Sequence, residues 1–298
     1  MIVWVVFCAA ALMAGAVLFA VWPCRVQRGL RAPFQNRNFA HRGLFAPDQS
    51  VPENSIPAFE AAARAGYGIE LDVQLTKDRQ LVVFHDDTLE RMTPAAGFVH
   101  DMDYADFAAL PLMGTAFHPP RLVEMLAATA AVDPATPLIV EIKSRREYRG
   151  AYLDALCRAT LDALHYYPGP WCIESFDPRV VARIRKMAPG VLRGQLADCY
   201  EGYRGEGAPA PYAYAVSHCF GNFLGRPHFI AWCPAKRNWA VRLCARLGAM
   251  IVMWTALPDH DRAALERDND AVIFQWYTPQ PRFGGAQETP QNTAPAQM

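Results

Sequence analysis

The chain has 298 residues, of which 52% are hydrophobic and 19% are charged, an ordinary composition for a folded protein. Lysine plus arginine and aspartate plus glutamate number 29 each, so the chain lacks the basic excess that is typical of nucleic-acid-binding proteins, and we expect no nucleic-acid partner. The length that follows an apolar N-terminus favours one large α/β domain over two small ones.

The N-terminus carries an apolar segment, residues 2–22, that contains no charged side chain. A helix of this length crosses the hydrocarbon core of a bilayer, which is roughly 30 Å thick. A cleaved signal peptide and a buried helix are the alternatives. A signal peptide has a positively charged start and a small-x-small cleavage site, and residues 19–24 (FAVWPC) offer no good site. We therefore predict a retained transmembrane anchor over residues 1–24.

Basic residues follow the apolar segment, and none precedes it. Residues 25–37 carry arginines at positions 25, 28, 31 and 37 and form a basic juxtamembrane linker. Because positive residues near a span stay on the cytoplasmic side, we predict a single-pass protein of the cell membrane with its catalytic domain in the cytoplasm. The eight cysteines form no CxxC pair, which favours reduced thiols in that compartment.

Strand and helix patterns alternate over residues 38–283, the predicted barrel domain. The predicted strands are Phe39–His41, Ile69–Leu75 with a hairpin return over Leu81–His85, Leu138–Lys143, Trp171–Ser175, Val191–Gln195, Phe229–Cys233, Met250–Thr255 and Ala271–Trp276. The predicted helices are Ile56–Ala63 after an Asn54 N-cap, Leu122–Val132, Glu147–His165, Pro178–Met187 after an Asp177 cap, Asn238–Leu247 and Asp259–Arg267.

Two segments have no regular pattern. Residues of about 88–120, with proline, glycine and scattered acids, are predicted to form an insertion or lid. Residues 284–298 are rich in Gly, Pro, Gln, Asn and Thr and are predicted to form a disordered tail.

The number of strands decides the predicted fold. Without the hairpin return there are eight core strands separated mostly by helices, which predicts a (β/α)₈ TIM-type barrel with an N-terminal transmembrane helix. A doubly wound open sheet is the alternative, but Gly43 stands alone after the first strand and no Gly-rich nucleotide fingerprint supports that fold.

Carboxylates occur within the most apolar strands. In residues 69–75, Glu70 and Asp72 share one strand face while the alternate residues are all Ile, Leu or Val. In residues 138–143, Glu141 and Lys143 share a face in the same way. In a barrel these polar faces point inward, and barrel active sites lie at the C-terminal ends of the strands.

Three carboxylates in one buried mouth would repel each other, and each unpaired buried charge costs several kcal/mol. A divalent cation removes this conflict, and oxygen ligands from Glu70, Asp72 and Glu141 suit Mg²⁺ or Ca²⁺. Structural salt bridges to Arg or Lys are the alternative, which is strongest for Glu141 because Lys143 shares its face.

Two histidines end strands near the predicted metal site. His41 ends the first strand and His85 ends the hairpin return. Because imidazole titrates near neutral pH, one ring can accept a proton while the other donates one. Arg42 and Lys143 add positive charge where a phosphate could bind, although Arg42 is equally compatible with a surface position.

Six short motifs occur in order: AHRG at 40–43, PENS at 52–55 followed by AF at 58–59, IELDVQLTKD at 69–78, VFHD at 83–86, VEIK at 140–143 and ESF at 174–176. In residues and spacing they resemble the glycerophosphodiester phosphodiesterase family, over roughly residues 39–274 and most strongly in the first half. The resemblance implies a phospholipase-C-like barrel that binds one divalent cation, Ca²⁺ or Mg²⁺.

The resemblance also implies a role for each matching residue. It implies metal ligation by Glu70, Asp72 and Glu141, base and acid roles for His41 and His85, phosphate binding by Arg42 and Lys143, and supporting places near the mouth for Glu53 and Asn54. The implied substrate is a small-molecule glycerophosphodiester. Its hydrolysis gives an alcohol and glycerol 3-phosphate, with the glycerol 2-hydroxyl as internal nucleophile and the metal stabilising charge on the phosphoryl oxygens.

The chain departs from the family pattern at two places. Ala256-Leu257 follows Trp254-Thr255 where the family commonly has Val-Asn, and Gln275-Trp276 ends the last strand where the family often has Thr-Asp. Three other functions stay open: a barrel glycosidase using two of the carboxylates, a membrane-tethered phosphodiester-binding protein without turnover, and a phosphodiesterase acting on a different lipid-derived phosphodiester.

Overall fold

The computed structural model describes residues 2–284, so the predicted tail lies outside the described residues except for Gly284. Within the described range, eight parallel strands form a barrel and a ninth, β3, runs antiparallel to β2. The strands are β1 (Arg37–His41), β2 (Gly68–Leu75), β3 (Leu81–Val83), β4 (Leu138–Ile142), β5 (Trp171–Ser175), β6 (Arg193–Ala197), β7 (Phe229–Trp232), β8 (Met250–Ala256) and β9 (Ala271–Phe274).

The barrel is closed by β1, which pairs in parallel with both β9 and β2. Ala40 lies opposite Phe274 on one side and opposite Ile69 on the other. An open doubly wound sheet would leave edge strands, so this closure excludes the alternative fold and confirms the TIM-type barrel.

The helices lie mainly around the barrel, between consecutive strands. They are α1 (Ile2–Val21), α2 (Arg28–Arg31), α3 (Ile56–Arg64), α4 (Tyr104–Phe107), α5 (Leu122–Val132), α6 (Gly150–His165), α7 (Pro178–Met187), α8 (Tyr200–Gly205), α9 (Ala210–Ser217), α10 (Asn222–Gly225), α11 (Trp239–Arg246) and α12 (Arg262–Asp268), with 3-10 turns at Val99–Asp101 and Leu112–Gly114. The three short helices between β6 and β7 were not predicted, because their apolar periodicity is weak.

The apolar face of β2 packs under the helices, as its alternation predicts. Ile69, Leu71 and Val73 are fully buried in one cluster with Phe59 of α3 and Met125 of α5. The other face of β2 therefore points into the barrel, which is how a carboxylate enters the interior of an otherwise apolar strand.

The predicted insertion has its own small core. Leu89, Met92, Phe107 and Leu112 are buried in one cluster with Phe84, which follows β3. The segment after β3 is therefore packed against the barrel and holds the residues next to Phe84 in fixed positions.

The two predicted helix caps have different outcomes. Asp177 caps α7, because its carboxylate accepts a hydrogen bond of 2.8 Å from the backbone N–H of Arg179. The Asn54 N-cap is wrong: Ser55 is the residue before α3, and Asn54 has φ +54°. The Asn54 amide instead donates to the buried carboxylate of Asp72, a stronger partner than an exposed helix end.

The N-terminal apolar helix is present and is long and apolar enough over Val3–Val21 to cross a membrane. Residues 3–16 of this helix are exposed in the chain by itself. Its last residue, Val21, is fully buried against the barrel.

Candidate active site

Strands β1, β2 and β4 and the segment after β3 bring the predicted site residues together at the C-terminal mouth of the barrel. His41 is the last residue of β1 and lies opposite Glu70 of β2 in the parallel register. Asp72 of β2 lies opposite Glu141 of β4. His85 follows β3, and it lines one cavity with His41, Glu70 and Glu141.

The three acids form a compact buried cluster. Oxygen atoms of Glu70, Asp72 and Glu141 all lie within 4.8 Å of one another. The three residues are 3%, 1% and 7% exposed, respectively. Asp72 Oδ2 accepts a hydrogen bond of 2.9 Å from Asn54 Nδ2, whereas the buried Asp72 Oδ1 has no hydrogen-bond partner.

Burial and mutual repulsion act on these acids. Burial, and next the charge of Asp72, raise the pKa of Glu70 well above its ordinary value. Burial also raises the pKa of Glu141, although Lys143 opposes the shift. At Asp72 burial is outweighed by the positive charges of His85, Lys143 and Arg42, so its pKa is lowered.

This donor set fits a hard divalent cation. All three groups offer oxygen ligands that lie within 4.8 Å of one another, and one buried carboxylate oxygen lacks a hydrogen bond. Oxygen-only ligation is typical of Mg²⁺ and Ca²⁺. Glu70, Asp72 and Glu141 are therefore the residues that would hold such an ion.

His41 is held as a neutral imidazole. Its Nδ1 lies 2.5 Å from Oε1 of Gln275, so Nδ1 carries the proton and donates to the amide oxygen. Burial and the neighbouring Arg42 lower the pKa of His41 to about 3. The other nitrogen, Nε2, is 3.8 Å from Oε2 of Glu70 and is free to accept a proton.

His85 has a different partner. Its Nδ1 lies 2.6 Å from Oδ1 of Asp86, a carboxylate that can compensate a positive charge on the ring. Asp86 is held in turn by Arg91, whose Nε donates to Asp86 Oδ2 at 2.5 Å. The amide of Gln74 fixes the backbone here by donating to the carbonyl of Asp86 at 2.7 Å. The two imidazoles therefore have opposite electrostatic surroundings.

Arg42 lies in a tight turn beside the acids. Its φ is +57° and that of the following Gly43 is +82°, where a Cβ would come within 2.9 Å of Ala58. The backbone N–H of Arg42 donates to Glu70 at 3.1 Å, and its guanidinium donates to Glu53 at 2.6 Å. The Arg42 Nε is buried and has no hydrogen-bond partner.

Lys143 contacts the acids directly. Its Nζ lies 3.1 Å from Glu141 and 3.6 Å from Asp72. Although burial opposes the charge, these two carboxylates raise the pKa of Lys143. The predicted salt bridge between Glu141 and Lys143 is therefore present, and it lies within the acid cluster.

The two supporting residues of the PENS motif also lie here. Glu53 accepts hydrogen bonds from Arg42 and Arg91, both at 2.6 Å, and so connects Arg42 to the segment after β3. Asn54 connects the same motif to Asp72.

A cavity of about 60 Å³ lies among these side chains, and it is lined by His41, Arg42, Glu70, His85, Glu141, Glu174, Phe176, Leu196, Trp254 and Ile273. Phe176 also lines a larger neighbouring cavity of about 500 Å³. The small cavity brings both imidazoles and two of the three clustered acids, Glu70 and Glu141, to one space.

We predicted no site role for four residues that lie here. Gln275 and Asp86 bind His41 and His85, and Arg91 binds Asp86. Glu174 in β5 lies opposite Glu141, and burial and Glu141 raise its pKa well above the ordinary value. The acid within the apolar strand WCIES was the signal that could have found Glu174.

Comparison with known proteins identifies the family. The model of the glycerophosphoryl diester phosphodiesterase family matches residues 41–275. The chain belongs to this family. The match covers His41, His85 and all three clustered acids, so the site described above lies within the family's own extent.

Two curated relatives give the scale of the likeness to other family members. The chain is 34% identical over 165 residues to a glycerophosphodiester phosphodiesterase of Caldanaerobacter subterraneus subsp. tengcongensis, covering 54% of this chain and 66% of that protein. It is 33% identical over 156 residues to the YhdW protein of Bacillus subtilis, covering 51% and 62%. The chain thus spans less than two thirds of the length of these relatives.

A solved structure shows the same fold. A phosphodiesterase of Oleispira antarctica, whose structure contains the product sn-glycerol-3-phosphate, matches with a TM-score of 0.63 and 18% identity, covering 82% of this chain and 94% of that chain. At this identity the likeness supports the barrel fold of this family member.

Proposed function

We propose that the chain hydrolyses small-molecule glycerophosphodiesters to an alcohol and glycerol 3-phosphate, with one divalent cation, Mg²⁺ or Ca²⁺. The observation that carries the proposal is the cluster of Glu70, Asp72 and Glu141, whose oxygens lie within 4.8 Å of one another beside two imidazoles. A glycosidase would use two carboxylates and leave these imidazoles without a role.

Glu70, Asp72 and Glu141 would hold the cation through carboxylate oxygens. A bound divalent ion acts as a Lewis acid that stabilises negative charge on phosphoryl oxygens. Without it, the three acids disfavour an anionic phosphodiester in the same cavity, because like charges repel in a site of low dielectric constant.

The hydrogen bonds of the two histidines support different proposed roles for them. His41 is neutral, and its Nδ1 is occupied by Gln275, so Nε2 is the atom that would accept the proton of the attacking hydroxyl. His85 has the carboxylate of Asp86 at its Nδ1, so a protonated His85 is compensated and would donate from Nε2 to the leaving alcohol.

The positive residues would orient the phosphate. Arg42 Nε is buried without a hydrogen-bond partner and offers a donor to a phosphoryl oxygen. The ammonium group of Lys143, already within 3.6 Å of two of the acids, adds fixed positive charge at the same place.

Location is part of the proposal. Residues 1–24 would anchor the chain in the cell membrane, residues 25–37 would form the basic linker, and residues 38–283 would form the catalytic domain, with its insertion at about 88–120, in the cytoplasm. An apolar helix over Val3–Val21 and arginines that all follow it support this arrangement.

The test is turnover by the full chain in detergent. The protein is treated with EDTA and assayed against a panel of glycerophosphodiesters with a coupled glycerol 3-phosphate readout, before and after Mg²⁺ or Ca²⁺ is added back. We expect metal-dependent release of glycerol 3-phosphate, and its loss in His41→Ala. Metal-bound protein that is inert across the panel would favour a binding protein, and activity on another lipid-derived phosphodiester would change the substrate.

A further inference from the structure

The segment that follows α1 is bound to one end of the barrel. The backbone N–H of Cys24 donates to the carbonyl of Pro227 at 2.8 Å, and that of Val26 donates to the carbonyl of Gly248 at 3.5 Å. Pro227 and Gly248 come just before β7 and β8. This end, which we call the base, carries the N-terminal ends of the strands and lies opposite the mouth that holds the candidate site.

Side chains of the base bind the C-terminal end of α1, where helix carbonyls lack partners within the helix. Asn222 Nδ2 donates to the carbonyl of Val21 at 2.9 Å. The guanidinium of Arg226 donates to the carbonyls of Phe19 and Trp22, both at 2.8 Å. We call Asn222 and Arg226 the socket.

The socket depends on the presence of α1. Asn222 is 1% exposed, and Val21, whose carbonyl it binds, is fully buried. Without residues 1–24 the amide of Asn222 would lose this acceptor, and the surface that Val21 covers would be exposed. The barrel therefore has side chains that bind the end of the apolar helix, which favours a retained anchor over a cleaved signal peptide.

The surface near the socket carries residue types that are common where proteins meet the lipid headgroups of a membrane. Exposed apolar side chains and arginines that follow α1 or adjoin Asn222 in the chain are Trp22, Leu30, Phe223, Leu224, Arg25 and Arg28. Trp is enriched at the headgroup level of bilayers, and arginines beside a span are attracted to anionic lipid. Phe223 packs against Phe19 of α1, with ring centroids 5.9 Å apart, and Trp22 directly follows α1, so a bilayer that contains α1 would meet these side chains.

We propose that the base rests on the bilayer surface, fixed by the socket, with the catalytic mouth facing away from the membrane. This inference rests on the proposed anchoring by α1. Strands β4 and β5 have five residues each, which at about 3.3 Å per residue and a tilt of about 36° places the mouth roughly 13 Å above the base. The site then takes its substrate from the aqueous phase and not from the bilayer that holds the protein.

Fluorescence quenching in nanodiscs tests the orientation. A fluorescent non-natural amino acid is placed at Gly190, an exposed residue between α7 and β6 on the base side, or at Glu147, an exposed residue after β4 on the mouth side. Headgroup-labelled anionic lipid carries the quencher. We expect strong quenching of the label at position 190. The label at position 147 should be as bright as in a nanodisc without quencher. Equal or stronger quenching at 147 would overturn the proposal.

Two further measurements test whether the socket fixes the orientation and whether residues 1–24 are retained. Asn222→Leu with Arg226→Met should reduce the difference between the two labels, whereas the exposed Arg158→Met control should preserve it. If the double variant does not fold, quenching at positions 190 and 147 in the protein with an intact socket still tests the orientation. The intact mass of membrane-extracted protein should include residues 1–24, and a mature N-terminus after residue 24 would overturn the proposal.

Turnover of a soluble glycerophosphodiester is measured on the same labelled samples. Turnover together with equal or stronger quenching at position 147 contradicts the proposed orientation but not the proposed hydrolase function. If the label at position 190 is quenched and the label at 147 is not, but no metal-loaded sample shows turnover, the orientation is supported and the proposed hydrolase function is contradicted.

Discussion

His41 Nδ1 lies 2.5 Å from Oε1 of Gln275, the residue that directly follows the last barrel strand. This contact joins the two ends of the barrel sequence, because β1 and β9 are neighbours in the closed sheet. It also occurs where the chain departs from the common family pattern. Gln275 therefore orients the proposed base of this chain.

Replacing Gln275 should affect turnover more than substrate binding. Gln275→Leu removes the acceptor of the Nδ1 proton, so His41 loses its fixed tautomer, and we expect kcat to fall by about 10²-fold with KM little changed. Gln275→Glu keeps an acceptor oxygen and should recover part of kcat. Steady-state kinetics on a glycerophosphodiester measures both. Equal kcat for Gln275→Leu and wild type would show that His41 needs no orientation from this side.

Neutralising one acid should stabilise the metal-free protein and prevent metal from stabilising it further. Burial and Asp72 disfavour ionised Glu70, so Glu70→Gln should raise the free energy of unfolding at neutral pH by roughly 1–3 kcal/mol in EDTA. Wild type should gain about 2.7 kcal/mol at an ion concentration 100 times the Kd, and Glu70→Gln should gain little.

Denaturant titration with and without metal gives these values. The exposed Glu147→Gln is the matched control, and it should behave as wild type. A Glu70→Gln protein that is destabilised in EDTA would mean that Glu70 is already compensated by its hydrogen bond from Arg42.

His228, far from the mouth, should make stability depend on pH. Burial and the neighbouring Arg193 lower its pKa from 6.5 to about 4, and its Nδ1 accepts a hydrogen bond of 3.3 Å from the Arg193 backbone N–H. The unfolded chain therefore binds this proton more tightly than the folded chain. The stability contribution of neutral His228 is fully present above pH 6.5 and is lost as the pH falls towards 4.

The size of this effect is at most about 1.4 kcal/mol per pH unit for a single group. Unfolding free energies of wild type, His228→Asn and an exposed control, His165→Asn, measured between pH 4 and 8, test it. We expect a smaller slope below pH 6.5 for His228→Asn than for either other protein. Identical slopes in all three would assign the acid sensitivity to other groups.

The barrel was predictable because alternation within its strands is strong. Residues 69–75 show acids on one face and Ile, Leu and Val on the other, and the structure has β2 at Gly68–Leu75. The bounds of α5, β5 and α7 agree with the predicted ones. By contrast, helices α8, α9 and α10 lie in a segment whose short turns are stabilised by tertiary contacts such as Asn222 to Val21.

The positions of the site residues followed from strand ends, but their partners did not. His41 and Glu141 end or nearly end β1 and β4, and the acids of β2 lie opposite them on the neighbouring strand, so their meeting was expected. Gln275 is 234 residues from His41 in the chain, and no local pattern connects such a pair. Asn54 shows the reverse error, because a local helix-cap pattern was outweighed by a buried carboxylate elsewhere.

Direct metal binding tests the central claim, that acids of β2 and β4 hold a divalent ion between two imidazoles. Metal-free full chain is titrated calorimetrically with Mg²⁺ and with Ca²⁺, alongside Asp72→Asn and the exposed control Asp162→Asn. We predict one ion per chain for wild type and Asp162→Asn, and no binding at that site for Asp72→Asn. Unchanged stoichiometry and affinity in Asp72→Asn would contradict the account.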